Sequence, residues 1–273
     1  PFSTIIAAVD WVANMHVKPA VVNMSLGGGF YAPLNDAVTN LVLYGVTTVV
    51  AAGNDNANAC NYSPASAPLV ITVANSRISD ARSASSNYGT CTDLYAPGES
   101  ITSAWYTSDV ATAVLTGTSM ASPHVAGLAA LFLQRSPTAA PAMVGRVITD
   151  DATPAIVTGF VSGQNRLATR WNGNLGATGS AVFSPAAHDC ATCGYFTTVA
   201  GGYIHAWLGG TPGTNFNLQL YRWNGTSWVL VATQGTASTN EYMVYFNSTP
   251  GRYRFRVSSA SGAGTFDLFV RKS

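Results

Sequence analysis

The sequence predicts an α/β fold, a parallel sheet with helices on both faces, followed by a small all-β antiparallel sandwich. Three observations carry this expectation. Short runs that are apolar on both faces alternate with helical periodicities through the first half of the chain. Near residue 171 the composition turns to Gly and Asn. Beyond that point the apolar period switches to two.

Each element follows in order. Ile5, Ile6, Val9 and Val12 recur at helical spacing, with Ser3 as the expected N-cap. Residues 20–26 form a short strand that runs into Gly27-Gly28-Gly29. A second amphipathic helix spans residues 33–44 and is closed by Gly45. Residues 46–52 make a nearly continuous apolar strand ended by Gly53, and residues 70–74 make another. Helices follow over residues 119–134 and 139–150. Residues 1–171 thus form the first domain, 172–180 a Gly-rich linker and 181–273 the sandwich. In the sandwich, Phe216, Leu218 and Leu220 alternate with Asn217 and Gln219. Arg252, Arg254 and Arg256 alternate with Tyr253, Phe255 and Val257, and Asn224-Gly225 marks a hairpin.

Composition removes several function classes. Of 273 residues, 47% are hydrophobic and only 9% charged, against roughly 25% charged in a typical domain. That balance excludes a disordered chain and a coiled coil. A net charge of +1 without a basic run excludes the usual nucleic-acid binder. The charge is uneven: residues 1–171 carry 7 basic and 9 acidic groups (net −2), and residues 172–273 carry 6 and 3 (net +3). No apolar stretch reaches the ~18 residues of a membrane span, so no membrane partner is expected. A surface of Ser, Thr, Asn and Gly, together with four cysteines, suits a secreted protein in an oxidising compartment. Counting alone leaves three disulfide pairings open.

The chemistry concentrates in Gly117-Thr118-Ser119-Met120-Ala121-Ser122-Pro123-His124-Val125-Ala126-Gly127. A Gly-Thr turn delivers Ser119 to the first turn of an apolar helix, with Pro123 tolerated near the start. A hydroxyl there lies at the positive helix end, beside backbone N–H groups suited to an oxyanion. A serine N-cap is the plainer reading of those residues alone. The whole stretch, however, resembles the serine motif of the subtilisin-like proteases. Ala51-Ala52-Gly53-Asn54 resembles their oxyanion segment, and Ser25-Leu26-Gly27 their substrate-pairing strand. Asn61-Tyr62-Ser63-Pro64-Ala65, Ser86-Asn87-Tyr88-Gly89 and Ala96-Pro97-Gly98 are similar to the proteinase K/aqualysin branch.

The resemblance implies a secreted, monomeric serine endopeptidase acting on polypeptides through an acyl-enzyme. Ser119 would be the nucleophile, and its N–H together with the Asn54 side-chain amide would hold the oxyanion. Ser25, Leu26 and Gly27 would pair with an extended peptide, and Ala51 and Gly53 would line the first specificity pocket. It further implies a Cys60–Cys91 disulfide, which leaves Cys190 and Cys193 to form a short local bridge. It implies structural calcium held by the Pro68 and Val70 carbonyls and by Asp93.

One part of the family pattern is missing from the sequence. The family's Asp and His motifs precede the serine and lie upstream of everything present here. His124 is five residues beyond Ser119 on the same helix, about 140° around it, and cannot be the base. His16, His188 and His205 match nothing in the family pattern. The chain is therefore expected to be the C-terminal portion of a longer protease. It is expected to be inactive alone and to expose apolar sheet surface. A catalytically inactive peptide-binding homologue is the alternative.

The second domain resembles the pre-peptidase C-terminal type of β-sandwich. Trp207, Trp223, Trp228, Tyr221 and Tyr242 suggest either a polymer- or carbohydrate-binding face or sandwich core. The arginines of the 252–256 stretch suggest either contact with an anionic polymer or an ordinary solvated face.

Overall fold

The computed structural model describes residues 1–168, 171–175, 180–183, 196–198 and 202–272. They form two compact units, Pro1–Thr149 with Pro154–Ala168, and Asp150–Thr153 with Thr169–Ser273.

The first unit is built on a parallel sheet. Its strands are β1 (Val21–Met24), β2 (Thr47–Ala51), β3 (Ile71–Ser76) and β4 (Leu94–Pro97), with two short additions, β5 (Thr153–Pro154) and β6 (Arg166–Leu167). The order is β1-β2-β3-β4-β6-β5. Met24 lies beside Val50, Ala51 beside Val73, and Val73 beside Leu94. Every residue of β2 and β3 is buried, as strands covered on both faces require.

Helices α1 (Phe2–Met15) and α2 (Ala32–Leu43) gather Val9, Leu34, Val38 and Leu41 around Met24, Val46 and Val50. Helix α3 (Thr118–Arg135) runs against β1 to β4 and buries Val125, Ala129, Phe132 and Leu133. Helix α4 (Pro141–Asp151) follows it. One N-terminal expectation fails. Helix α1 begins at Phe2 with Pro1 at its N-cap, so Ser3 lies inside the first turn and caps nothing.

The second unit holds two antiparallel sheets. One comprises β7 (Trp171–Leu175), β10 (Gly202–Gly210), β13 (Asn240–Asn247) and β15 (Gly264–Lys272). The other comprises β8 (Ser180–Phe183), β9 (Phe196–Thr198), β11 (Asn215–Trp223), β12 (Trp228–Gln234) and β14 (Gly251–Ser261). Their inward residues, among them Ile204, Leu208, Phe216, Leu218, Tyr253, Phe255 and Phe266, make one core.

The Asn-Gly signal does mark a hairpin. The turn is organised by the Asn224 side chain, whose Oδ1 accepts from the N–H groups of Thr226 and Ser227. Trp171–Leu175, expected within or beside the linker, instead pairs with Gly264–Leu268. It is an edge strand, where Gly and Asn are tolerated because only one side is packed and paired.

Candidate active site

Ser119 stands in the first turn of α3. The approach to it is close-packed: a Cβ on Gly117 would meet both amide atoms of Asn54 at 3.3 Å. Asn54 follows β2 and Gly53, whose φ of 102° favours glycine and whose added Cβ would strike the Asn87 amide. Asn87 in turn accepts from the N–H groups of Asp55 and Ala57 and donates to the Ala52 carbonyl. The loop carrying Asn54 is therefore tied down on each side.

The Asn54 amide is oriented by Thr118. The Thr118 N–H donates to Asn54 Oδ1 at 2.8 Å, and its hydroxyl donates to the same atom at 3.2 Å. The Gly53 N–H donates to the Thr118 hydroxyl at 3.1 Å. An amide whose oxygen is engaged in this way offers Nδ2, its donor end, as the remaining functional group.

Ser119 is also tied to Ser25, the residue that follows β1. The Ser25 hydroxyl donates to the Ser119 carbonyl at 2.7 Å and exchanges a hydrogen bond with Ser122 Oγ at 3.0 Å. The Ser119 hydroxyl donates to the Ser25 carbonyl at 3.3 Å. Pro123 explains the first contact. It sits inside α3 rather than at its start, and it has no N–H for the carbonyl four residues before it, which is that of Ser119. Ser25 supplies the donor that the helix lacks.

A cavity of ≈ 320 Å³ opens beside Ser119 and Asn54. Leu26, Gly27 and Gly28 form one wall, and Ala51, Ala52 and Gly53 another. Asp55, Tyr62, Ser63, Ala65 and Thr118 complete it. A Cβ on Gly27 would come within 3.2 Å of the Ser63 carbonyl, so the backbone packs closely there. Tyr62 has its pKa raised by desolvation, by the Asp55 carboxylate and by their hydrogen bond.

The structure thus brings together Ser119, Asn54, Ser25, Leu26, Gly27, Ala51 and Gly53, named from the sequence. The roles of Thr118 and Ser122 as supports were not foreseen. Both lie in the serine motif, but their partners are 64 and 97 residues away. The histidines of this unit are turned elsewhere. His124 Nδ1 donates to the Met120 carbonyl at 2.8 Å, and His16 Nδ1 lies 3.1 Å from the Val12 and Ala13 carbonyls. His205 belongs to the second unit and His188 lies outside the described residues.

Cys60 and Cys91 are disulfide-bonded, with Cα atoms 5.3 Å apart. Cys190 and Cys193 lie outside the described residues.

Asp93 and Thr72 clasp each other. The Thr72 N–H donates to Asp93 Oδ2 at 2.7 Å, and the Asp93 N–H donates to the Thr72 carbonyl. Burial pushes the Asp93 carboxyl up to about 6, against the lowering effects of that hydrogen bond and of Arg166. Pro68 and Val70 flank Leu69, which has a φ of 73°, and the Pro68 carbonyl accepts from the Thr39 hydroxyl at 3.3 Å. Asp93 and the Pro68 and Val70 carbonyls are all oxygen donors, the kind a hard cation takes. Among the described residues, no three His, Cys, Asp or Glu side chains cluster as a metal site.

In the second unit the aromatic residues divide. Trp207 and Tyr242 stack at 5.1 Å on the outer side of the four-stranded sheet, where the Tyr242 hydroxyl and His205 Nδ1 lie 2.7 Å apart. Trp223 and Trp228 pair at 5.4 Å on the other sheet. None of the four is in the inter-sheet core, which Phe216, Tyr253, Phe255 and Phe266 fill.

Comparisons with known proteins agree with this geometry. The profile of the subtilase family, Peptidase_S8, matches residues 1–177. An extracellular serine proteinase of Thermus sp. (strain Rt41A) is 57% identical over 155 residues, 57% of this chain and 38% of the relative. Alkaline serine exoprotease A of Vibrio alginolyticus is 48% identical over 165 residues, 60% of this chain and 30% of the relative. The chain therefore spans well under half the length of these relatives. A crystal structure of a cold-adapted subtilisin-like serine proteinase superposes with a TM-score of 0.60 at 45% identity, covering 61% of this chain and 60% of the other. With a family profile over more than half its length and the serine, asparagine and glycine positions of the motif assembled around one cavity, the chain belongs to the subtilase family of serine peptidases.

Proposed function

We propose that this chain supplies the nucleophile, the oxyanion hole and the substrate cleft of a secreted endopeptidase. Ser119 Oγ attacks the peptide carbonyl. The developing oxyanion is held by Asn54 Nδ2 and the Ser119 N–H. A base outside residues 1–273 takes the Oγ proton and gives it to the leaving amine as the C–N bond breaks; water, deprotonated by the same base, then hydrolyses the ester, and the proton returns to Ser119. Residues 25–27 pair with the extended substrate, and the ≈ 320 Å³ cavity receives an apolar side chain. The observation that carries this reading is the double anchoring of Asn54 Oδ1 by Thr118, which commits the amide to presenting its N–H group.

The general base and its orienting acid come from polypeptide outside residues 1–273. Among the described residues β1 pairs on one side only, and an apolar groove of ≈ 290 Å³ lies between α1 and β1 against Ile5, Val9, Val22 and Met24. An open edge beside an apolar groove suits the addition of further strands. Secretion accords with the extracellular and exoprotease names of the relatives. Calcium, held by Asp93 and the Pro68 and Val70 carbonyls, would stiffen the loop before β3.

The test is labelling with a fluorophosphonate in full-length protein. A Ser119 adduct that disappears in Ser119→Ala is expected. Full-length protein that binds peptide but takes no label would instead be an inactive homologue. The 273-residue chain alone is expected not to hydrolyse casein.

A further inference from the structure

We propose that a second cavity, at the end of the parallel sheet remote from Ser119, binds a single-chain anionic amphiphile of the fatty-acid type. The cavity has a volume of ≈ 560 Å³, within the range of about 300–1,000 Å³ of small-molecule sites. It is larger than the cleft beside Ser119. Ala20, Gly45 and Leu69, on its walls, lie just before β1, β2 and β3. Ser25 and Asn54 lie just beyond the other ends of β1 and β2. These strands are parallel, so the two cavities sit at opposite ends of the sheet. Helix α3 sets the separation. Leu133 lines the second cavity, and Ser119 stands 14 positions earlier on the same helix, about 21 Å along its axis.

The lining is apolar apart from one charge. Leu43, Leu69 and Leu133 share it with the small residues of the 137–142 connection between α3 and α4. Leu43 and Leu69 are 71% and 55% exposed, and Leu69 holds a left-handed φ of 73°. Exposed leucines at a cavity offer contact area to a hydrocarbon chain. Lys18 is the charged residue of the lining, and no carboxylate shares it. Gly45 makes room for its side chain: a Cβ there would lie 2.5 Å from Lys18 Nζ and 2.9 Å from Cε. The stem therefore lies across the glycine, against the end of α2, and carries the ammonium to the cavity. Among the described residues no ion pair engages Lys18. Pro141 and Ala142, in the first turn of α4, belong to the same lining, and the positive end of that helix adds to the ammonium. A carboxylate at Lys18 with its hydrocarbon chain in the cavity uses both features.

Neutral and cationic amphiphiles fit less well, because they meet the same walls without a counter-charge. The other apolar groove of this unit, between α1 and β1, has no charged residue in its lining. Dependence on the ligand's carboxylate therefore separates the two sites.

The test is calorimetric titration of the full chain with dodecanoate below its micelle-forming concentration, with dodecyl maltoside as the neutral control. One-to-one binding of dodecanoate is expected, with affinity falling at least about tenfold in Lys18→Glu, where attraction becomes repulsion. A similar fall is expected in Ala142→Phe, which fills part of the cavity. Both residues are exposed, and a thermal melt matching the unmodified chain certifies the fold. If Lys18→Glu does not fold, Ala142→Phe carries the test. No binding, an undiminished affinity in the folded variants, or equal affinity for dodecyl maltoside overturns the proposal. A dimer in sedimentation that dodecanoate dissociates would make a second copy the occupant, and overturns it as well.

Discussion

The Ser25 hydroxyl donates to the carbonyl of Ser119 at 2.7 Å, the acceptor that Pro123 leaves without its helical N–H. The Ser119 backbone is thus held from the segment that follows β1, not from its own helix. Ser25→Ala removes this donor, and the cost of losing one exposed hydrogen bond is about 0.5–1.5 kcal/mol. Slower fluorophosphonate labelling of full-length protein is expected, with a lowered melting temperature. Ser25→Thr, which keeps a hydroxyl, should recover part of both.

Asn54→Leu should lower kcat about 10²–10³-fold with little change in KM, the size of loss a single oxyanion donor commands in subtilisin. Thr118→Val keeps the N–H bond to Asn54 and loses the hydroxyl bond. Its effect should be about 0.5–1.5 kcal/mol on the barrier. Steady-state kinetics on a peptide anilide separates the two.

Gly53→Ala forces a side chain into a φ of 102° and into the Asn87 amide. A stability loss of about 1–3 kcal/mol is expected from the backbone conformation, measured by denaturant unfolding. Activity should fall with it, because Asn87 braces the loop that carries Asn54.

Cys60→Ser removes a cross-link closing a sequence separation of 31 residues. The chain-entropy estimate is roughly 3–4 kcal/mol. A corresponding drop in melting temperature is expected, measured under non-reducing conditions.

Chelation should lower the melting temperature, and added calcium should restore it. In Asp93→Asn, calcium should no longer shift the melt. A calcium response unchanged in Asp93→Asn would place the ion elsewhere.

The parallel sheet was legible because β2 and β3 are apolar on both faces, and the sandwich because Phe216, Leu218 and Leu220 keep a strict period of two. The start of α1 was not, since Ser3 looks like a cap while the helix already begins at Phe2. Nor was the strand at Trp171–Leu175, whose Gly and Asn content describes an edge as well as a linker. Within the site, residue types carried Ser119 and Asn54. The supports, Thr118 on Asn54 and Ser25 on Ser119, join positions far apart in the chain, and no local spacing encodes them.

The Cys60–Cys91 bond has a consequence for what a proteolytic cut would do to this chain. The turn at Arg77–Asp80 carries the fully exposed Ile78, an inviting place for a cut. That turn lies between the two half-cystines, while Tyr62, Ser63 and Ala65 of the cavity lie on one side of it and Ser119 on the other. A molecule nicked there remains one covalent body. It should run as a single band on a non-reducing gel and as two after reduction, so a cut at this turn would not by itself separate the walls of the cleft.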